Sequence, residues 1–258
     1  MSEDPSLQDF RLRVAKFLAA AKSTNDPCPA YGAILPPHLH SKAMHWQRYC
    51  YDHGWAGVHW PQEHGGMGLS RAHNVVWHEE CALADIAPYL NLQGLVLAGE
   101  AILRSGTKEQ KERFLRATLS NEILWCQLFS EPGAGSDLAG LKTSAVLDGD
   151  HFILNGQKVW SSNAQFAQFG ILMARTDTTL PKHKGITFFL LDMHTKGIEV
   201  RPIKQMTGDS EFCEVFFSDV VVPSSAVLGD LNQGWSVAMA VLEDERGGAG
   251  AAGVINLR

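Results

Sequence analysis

After Asn121 the spacing of apolar residues changes from about 3.6 to about 2, and this change divides the chain into two kinds of structure. Upstream the spacing is helical. Leu7, Phe10, Val14, Phe17, Leu18 and Ala21 share one face of a helix expected over residues 7–22. A loop rich in Pro, Asn, Asp and Gly follows at 23–37, then a helix from Ser41 that Gly54 stops. The run HWPQEHGGMGLS at 59–70 carries Pro61 and three glycines, so it is expected to be irregular. Helical spacing resumes over residues 71–84 and 88–104. Thr107 with Gln110 then reads as a capping box that opens the helix KEQKERFLRATL.

Downstream, LWCQLF, KTSAVLDGDHFILNGQKVWSS, FGILMART, GITFFLLDM, GIEVRPI and CEVFFSDVVV are strand-like runs separated by turn signals. Asp148-Gly149 and Asn155-Gly156 are both pairs that favour tight hairpins. Together the runs predict an antiparallel barrel or sandwich. From Leu231 the helical period returns, with Trp235, Ala238, Met239, Val241 and Leu242 on one side. Helices, then strands, then helix again define an α+β class, with domains expected at 1–120, 121–228 and 229–258. The lack of βαβ alternation and of a GxGxxG after a strand argues against a doubly wound dinucleotide fold.

The charge balance, 22 Lys+Arg against 28 Asp+Glu, disfavours a nucleic-acid surface, which would need a basic stripe. No apolar run is long enough to span a bilayer. The polar, acidic start MSEDPSLQDF is unlike a secretory signal. The five cysteines are widely spaced with no CxxC pair, which points to reduced thiols in a cytoplasmic protein and to no zinc site. The eleven histidines come without HExxH, so no metal is expected, and no GxSxG marks a serine hydrolase.

Three places carry candidate chemistry. In QLFSEPGAGSD at 127–137 a strand ends in a Gly-rich loop with a hydroxyl, either a phosphate cradle or an ordinary turn. Trp160 stands at a strand end with Ser161, Ser162 and Asn163 just beyond. It is either a platform for an aromatic cofactor or a core tryptophan. Glu245 follows Leu242 by three residues and Val241 by four, on the inward side of the last helix. That placement suits a desolvated general base, while the neighbouring Asp244 and Arg246 fit a solvated face equally well.

Six segments in order complete the reading: GWAGVHWPQEHGGMG at 54–68, SGTKEQKERFL at 105–115, QLFSEPGAGSDLAGLKT at 127–143, NGQKVWSSN at 155–163, EVFFSDVVVPSSAVLG at 214–229 and GWSVAMAVLEDERG at 234–247. With them the chain resembles the acyl-CoA dehydrogenases, flavoenzymes that oxidise the α,β bond of an acyl-CoA thioester. The resemblance implies FAD as cofactor. Gln127, Phe129, Ser130, Gly135 and Ser136 would form the first flavin segment, with Ser136 also beside the pantetheine arm of the substrate. Trp160 would pack on the isoalloxazine, flanked by Ser161, while Ser162 takes the place of a hydroxyl near flavin N5. Tyr89 and Leu90 would line the acyl tail, and Glu243 and Arg246 would lie near the substrate. Glu245 would be the base, as in members resembling the isovaleryl- and long-chain enzymes. An electron-transferring flavoprotein would reoxidise the flavin. The family's C-terminal helical domain completes the flavin site and builds a tetramer core. This chain is expected to stop in that domain's first helix, so it is a fragment or another polypeptide supplies the rest, giving a homo- or hetero-oligomer (dimer or tetramer). The alternative reading is a catalytically silent partner subunit.

Overall fold

The computed structural model describes residues 5–32 and 34–243. Helix α1 (Pro5–Thr24) buries Phe10, Val14, Leu18 and Ala21 and packs Leu7 and Phe17 at the rim of the same core, the face that the apolar spacing picks out. Helices α2 (His40–Asp52), α3 (Arg71–Leu83), α4 (Gly99–Ser105) and α5 (Lys108–Leu119) complete the helical layer. Between α2 and α3 the glycine-rich run folds back on itself, with Gly68 N–H donating to Trp60 O at 2.8 Å and Leu69 N–H to Val58 O at 3.1 Å. Gly66 is obligatory there, because a Cβ would fall 2.3 Å from Trp60 O.

The single helix expected over 88–104 is not what forms. Residues 88–91 are irregular, and a π-helical turn (Gln93–Ala98) runs straight into α4. Two buried amides account for this. Gln47, fully enclosed, accepts from Leu90 N–H at 3.0 Å and Asn91 N–H at 2.8 Å, and its Nε2 donates to Thr118 O and Leu119 O. Asn91 Oδ1 then accepts from Gly94 N–H and from Trp125 N–H, each at 3.2 Å. Side chains therefore hold the backbone that a helix would otherwise satisfy. The capping box at α5 forms as expected, Thr107 N–H to Gln110 Oε1 at 3.0 Å and Gln110 N–H to Thr107 Oγ1 at 3.2 Å. The same Gln110 donates through Nε2 to Ser225 O and Val227 O, docking α5 on the chain that leaves the sheet.

Strands β1 (Trp125–Leu128), β2 (Ser144–Asp148), β3 (His151–Ser162), β4 (Phe169–Arg175), β5 (Ile186–Asp192), β6 (Ile198–Ile203) and β7 (Phe212–Pro223) form one curled sheet. Its order is β1-β4-β2-β3-β7-β6, with β5 also paired to β4. The expected antiparallel sheet is in fact mixed. Strand β1 runs parallel to β4 from Trp125/Phe169 to Leu128/Leu172, and β2 also meets β4 in parallel at Ser144/Arg175, so the connection from β1 to β2 does not reverse the chain before the β2–β3 hairpin does. The Asp148-Gly149 pair does turn that hairpin, with Gly149 at φ 63°. Asn155-Gly156 does not turn. Gly156 sits inside β3 at φ 147°, where the register against β7 slips, and a Cβ there would lie 2.6 Å from Thr143 Oγ1. That glycine serves a close backbone approach and a bulge.

The unbroken apolar runs of β4 and β5 are explained by burial on both faces. Phe169, Ile171, Met173, Ile186, Phe188 and Leu190 join the helical core. Leu172, Ala174, Phe189 and Leu191 face inward against Phe152, Leu154, Val215 and Phe217 of β3 and β7. The final helix begins at residue 234 and is described to 243, burying Ala238 and Val241 as expected. Its entry is fixed by Thr176 Oγ1 donating to Asn232 Oδ1 at 2.6 Å, by Asn232 N–H donating to Thr187 Oγ1 at 2.9 Å, and by Gly234, whose Cβ would meet Phe188 N at 2.5 Å. All five cysteines are buried and free, and no helix among the described residues is long and apolar enough to cross a membrane.

Replacing Gln47 by Leu leaves the buried N–H groups of Leu90 and Asn91 unpaired. At about 1–3 kcal/mol each, the expected loss is about 2–6 kcal/mol, read as a lower urea midpoint with an unchanged slope.

Candidate functional site

Two segments meet where β1 ends. Phe129 is buried, Ser130 half-buried, and Glu131 N–H and Ala134 N–H each bond the other's carbonyl at 3.0 Å, closing a tight loop over Pro132-Gly133. Gly133 and Gly135 have open space where a Cβ would be, and Gly135 and Ser136 are exposed. Ser130 O accepts from Val159 N–H at 2.9 Å, which brings the loop beside β3 one residue before Trp160.

For Trp160 the structure removes one of the two readings that the sequence left open. That residue is 58% exposed, so it is not a core tryptophan. Its φ is 59°, a left-handed conformation that a bulky residue adopts only at a cost, and it coincides with the register slip of β3 between Lys158 and Ser161. The indole touches the Phe212 ring edge-on at 5.7 Å. Beyond it, Ser161 Oγ and Asn163 Oδ1 are buried without a hydrogen-bond partner, and Asn163 is also left-handed at φ 54°. A large aromatic face held out to solvent and an open glycine loop are features that a planar cofactor with a phosphate tail requires.

Beneath the loop lies a buried ion pair. Lys158 is completely enclosed and donates from Nζ to Glu131 Oε1 at 2.8 Å and to Phe129 O at 3.0 Å. Glu131 accepts in addition from Lys142 N–H at 2.7 Å and Thr143 N–H at 2.9 Å. Burial pushes the ammonium down to about 8 against the pull of Glu131. Burial pushes the carboxyl up, but the Lys158 charge and the N–H donors outweigh it and hold the group below the ordinary carboxylate range. A cleft of about 300 Å³ opens on the flank of the same loop, lined by Pro132, Gly133, Lys142, Thr143, Gly156 and Gln157 among others; none of the expected flavin residues lines it.

Two family profiles match this chain, the acyl-CoA dehydrogenase N-terminal domain over residues 35–122 and the acyl-CoA dehydrogenase middle domain over residues 126–220. The chain belongs to the acyl-CoA dehydrogenase family. Over 198 residues it is 50% identical to the acyl-CoA dehydrogenase FadE34 of Mycobacterium tuberculosis, covering 76% of this chain and 27% of that protein. The solved Tcur3481-Tcur3483 steroid ACAD superposes with a TM-score of 0.82 at 30% identity, covering 99% of this chain and 66% of the other. A glutaryl-CoA dehydrogenase from Mycobacterium smegmatis, solved in complex with FADH2, gives 0.75 at 25% identity, covering 97% and 62%. The chain thus spans about a quarter of FadE34 and less than two thirds of the two solved chains. Members of this dehydrogenase family are FAD-dependent, and the exposed indole and the open glycine loop fit that group.

Of the residues expected to contact it, Gln127, Phe129, Ser130, Trp160, Ser161 and Ser162 are carried by β1, the loop after it and the end of β3, which adjoin through the Ser130–Val159 hydrogen bond. Gly135 and Ser136 follow on the exposed side of the loop. Tyr89 and Leu90 lie elsewhere, buried in the segment before the π-helical turn. The Tyr89 hydroxyl donates to Trp55 O at 3.2 Å and its ring stacks on Trp77 at 5.6 Å. Glu243 is exposed at the end of the described part of the last helix. Glu245 and Arg246 lie outside the described residues. The Lys158–Glu131 pair escaped the sequence reading. Its one signal was parity, since the even positions Phe152 and Leu154 point inward along β3 and Lys158 continues that side.

Trp160→Gly would relieve about 1 kcal/mol or more of left-handed strain and lose an edge contact with Phe212 of about 0.5–1.5 kcal/mol. Unfolding free energy is expected to stay within about 1 kcal/mol of the parent in urea titration; a loss above about 3 kcal/mol would mark Trp160 as a core residue, since that is the scale of core Trp truncation.

Proposed function

We propose that this chain carries the flavin and thioester walls of an FAD-dependent acyl-CoA dehydrogenase that converts an acyl-CoA to the trans-2-enoyl-CoA. The observation that carries this reading is the exposed, left-handed Trp160 set beside the Ser130 loop, a costly arrangement for one edge contact with Phe212. Bound FAD supplies a two-electron acceptor for the hydride that leaves the β-carbon. In this reading Trp160 would pack on the isoalloxazine and Ser162 would place its hydroxyl near flavin N5, while Ser161, fully enclosed, would back the strand end without touching the flavin. Gln127, Phe129 and Ser130 meet the pyrimidine side, while Gly135 and Ser136 lie along the pyrophosphate and the pantetheine arm. Glu245 removes the α-proton, Glu243 and Arg246 stand by the substrate, and Tyr89 and Leu90 limit the acyl tail from within the helical layer. Hydrogen bonds to the thioester carbonyl stabilise the charge that develops as the proton leaves. An electron-transferring flavoprotein takes the electrons. The domain limits at 120 and 228 and a cytoplasmic, oligomeric enzyme belong to the same proposal.

A second reading is supported by the two-part name of the steroid enzyme on which this chain superposes. In it the chain is a partner subunit, silent alone and completed by another polypeptide.

Purified protein loaded with FAD should show the visible flavin band, and acyl-CoA should bleach it anaerobically. Bound flavin that no acyl-CoA bleaches would reject turnover by this chain alone and favour the partner-subunit reading. Glu245→Gln should slow bleaching by about 10²–10⁴-fold, the usual worth of a general base, with FAD affinity unchanged. Near-normal bleaching would remove Glu245 from that role.

A further inference from the structure

We propose that the buried Lys158–Glu131 ion pair is a positioning device that holds the Ser130 peptide and the Trp160 kink in one fixed relation, and so sets how tightly the chain retains FAD. This rests on the flavin reading above. The pair joins three pieces of chain. Glu131 is on the loop after β1, and its carboxylate takes the N–H groups of Lys142 and Thr143 that lead into β2. Lys158 is on β3, two residues before Trp160, and its ammonium reaches back to Phe129 O at 3.0 Å. The Ser130 residue is therefore gripped at both of its peptide groups. On one side the Phe129 carbonyl accepts from Nζ, and on the other the Ser130 carbonyl accepts from Val159 N–H at 2.9 Å. The next residue along β3 is Trp160 itself.

Stability alone does not explain such a pair. Removing an ammonium and a carboxylate from water costs several kcal/mol per ion, and an apolar pair of similar volume usually stabilises a core at least as well. What an apolar pair cannot do is reach a carbonyl and two N–H groups at once. The charge pair is thus directional where a hydrophobic contact is not. Residues that pin a strained strand end two positions away supply the supporting shell that a preorganised site needs.

The separating variant is Lys158→Met with Glu131→Leu. It removes both charges together, so it leaves no unpaired buried ion. The thermal midpoint is expected to fall, because the N–H groups of Lys142 and Thr143 and the carbonyl of Phe129 lose their partners, so exchange is read relative to amides of the helical core. Amide exchange at Ala134 and Val159, measured on the flavin-free chain, should accelerate by about tenfold or more, a change worth about 1.4 kcal/mol. The FAD dissociation constant should rise by a similar factor of about ten, with a shifted flavin band. Unaltered exchange at both amides, or unaltered FAD affinity in a folded double variant, would overturn the proposal. Should that variant not fold, Glu131→Asp keeps both charges but withdraws the carboxylate by one methylene, and the same two readouts apply to it. A parent chain that binds no FAD would reject the flavin reading and the retention claim with it. The exchange result would still decide whether the pair positions the loop.

Discussion

Strands β4 and β5 have no solvent face. Each alternates between the helical core on one side and the interior of the curled sheet on the other, so the two layers share a wall. A one-residue slip of either strand would exchange every side chain between two differently shaped cores, and register is accordingly fixed. The candidate site inherits that register. Strand β1 pairs in parallel with β4, Gln127 opposite Ile171, so the point at which β1 gives way to the Phe129–Ala134 loop is set by a strand buried on both faces. From the helical side, Asn91 Oδ1 takes the Trp125 amide and Thr118 Oγ1 the Trp125 indole N–H, which fixes the start of the same strand. The loop that carries Ser130 is therefore located from both ends before any ligand is considered.

What the sequence displayed well was burial, because burial leaves a period. The face of α1, the unbroken apolar runs of β4 and β5, the inward side of the last helix and the Thr107/Gln110 cap were all legible from spacing and residue type. What it displayed poorly were places where one buried side chain takes over a backbone bond. The apolar spacing of 88–104 is compatible with one helix, but Gln47, more than forty residues earlier, holds the amides of Leu90 and Asn91 and delays it. Asn155-Gly156 has the residues of a hairpin turn and is instead a bulge, where Thr143, just before β2, comes too close for any Cβ at position 156. The parallel β1–β4 pairing carries no local signature at all, since direction depends on the path between strands.

The site shows the same division. The glycine-rich loop and the Trp160-Ser161-Ser162 cluster could be named from the chain, and the family resemblance gave them roles. The left-handed backbone of Trp160 could not be read, because nothing in a VWSS string distinguishes a strained strand end from a regular one. Lys158 was hidden for a related reason. A lysine in a half-exposed strand is ordinarily a solvated residue, and only the partner at position 131 makes full burial tolerable.

The closed pairing of Glu131 with Ala134 bears on the thermodynamics of whatever binds there. A loop already shaped by two reciprocal backbone bonds and a charge pair has surrendered its conformational freedom during folding. Association with it is then free of the unfavourable ordering entropy that accompanies coupled folding, and the heat-capacity change on binding should track only the apolar area that the ligand covers.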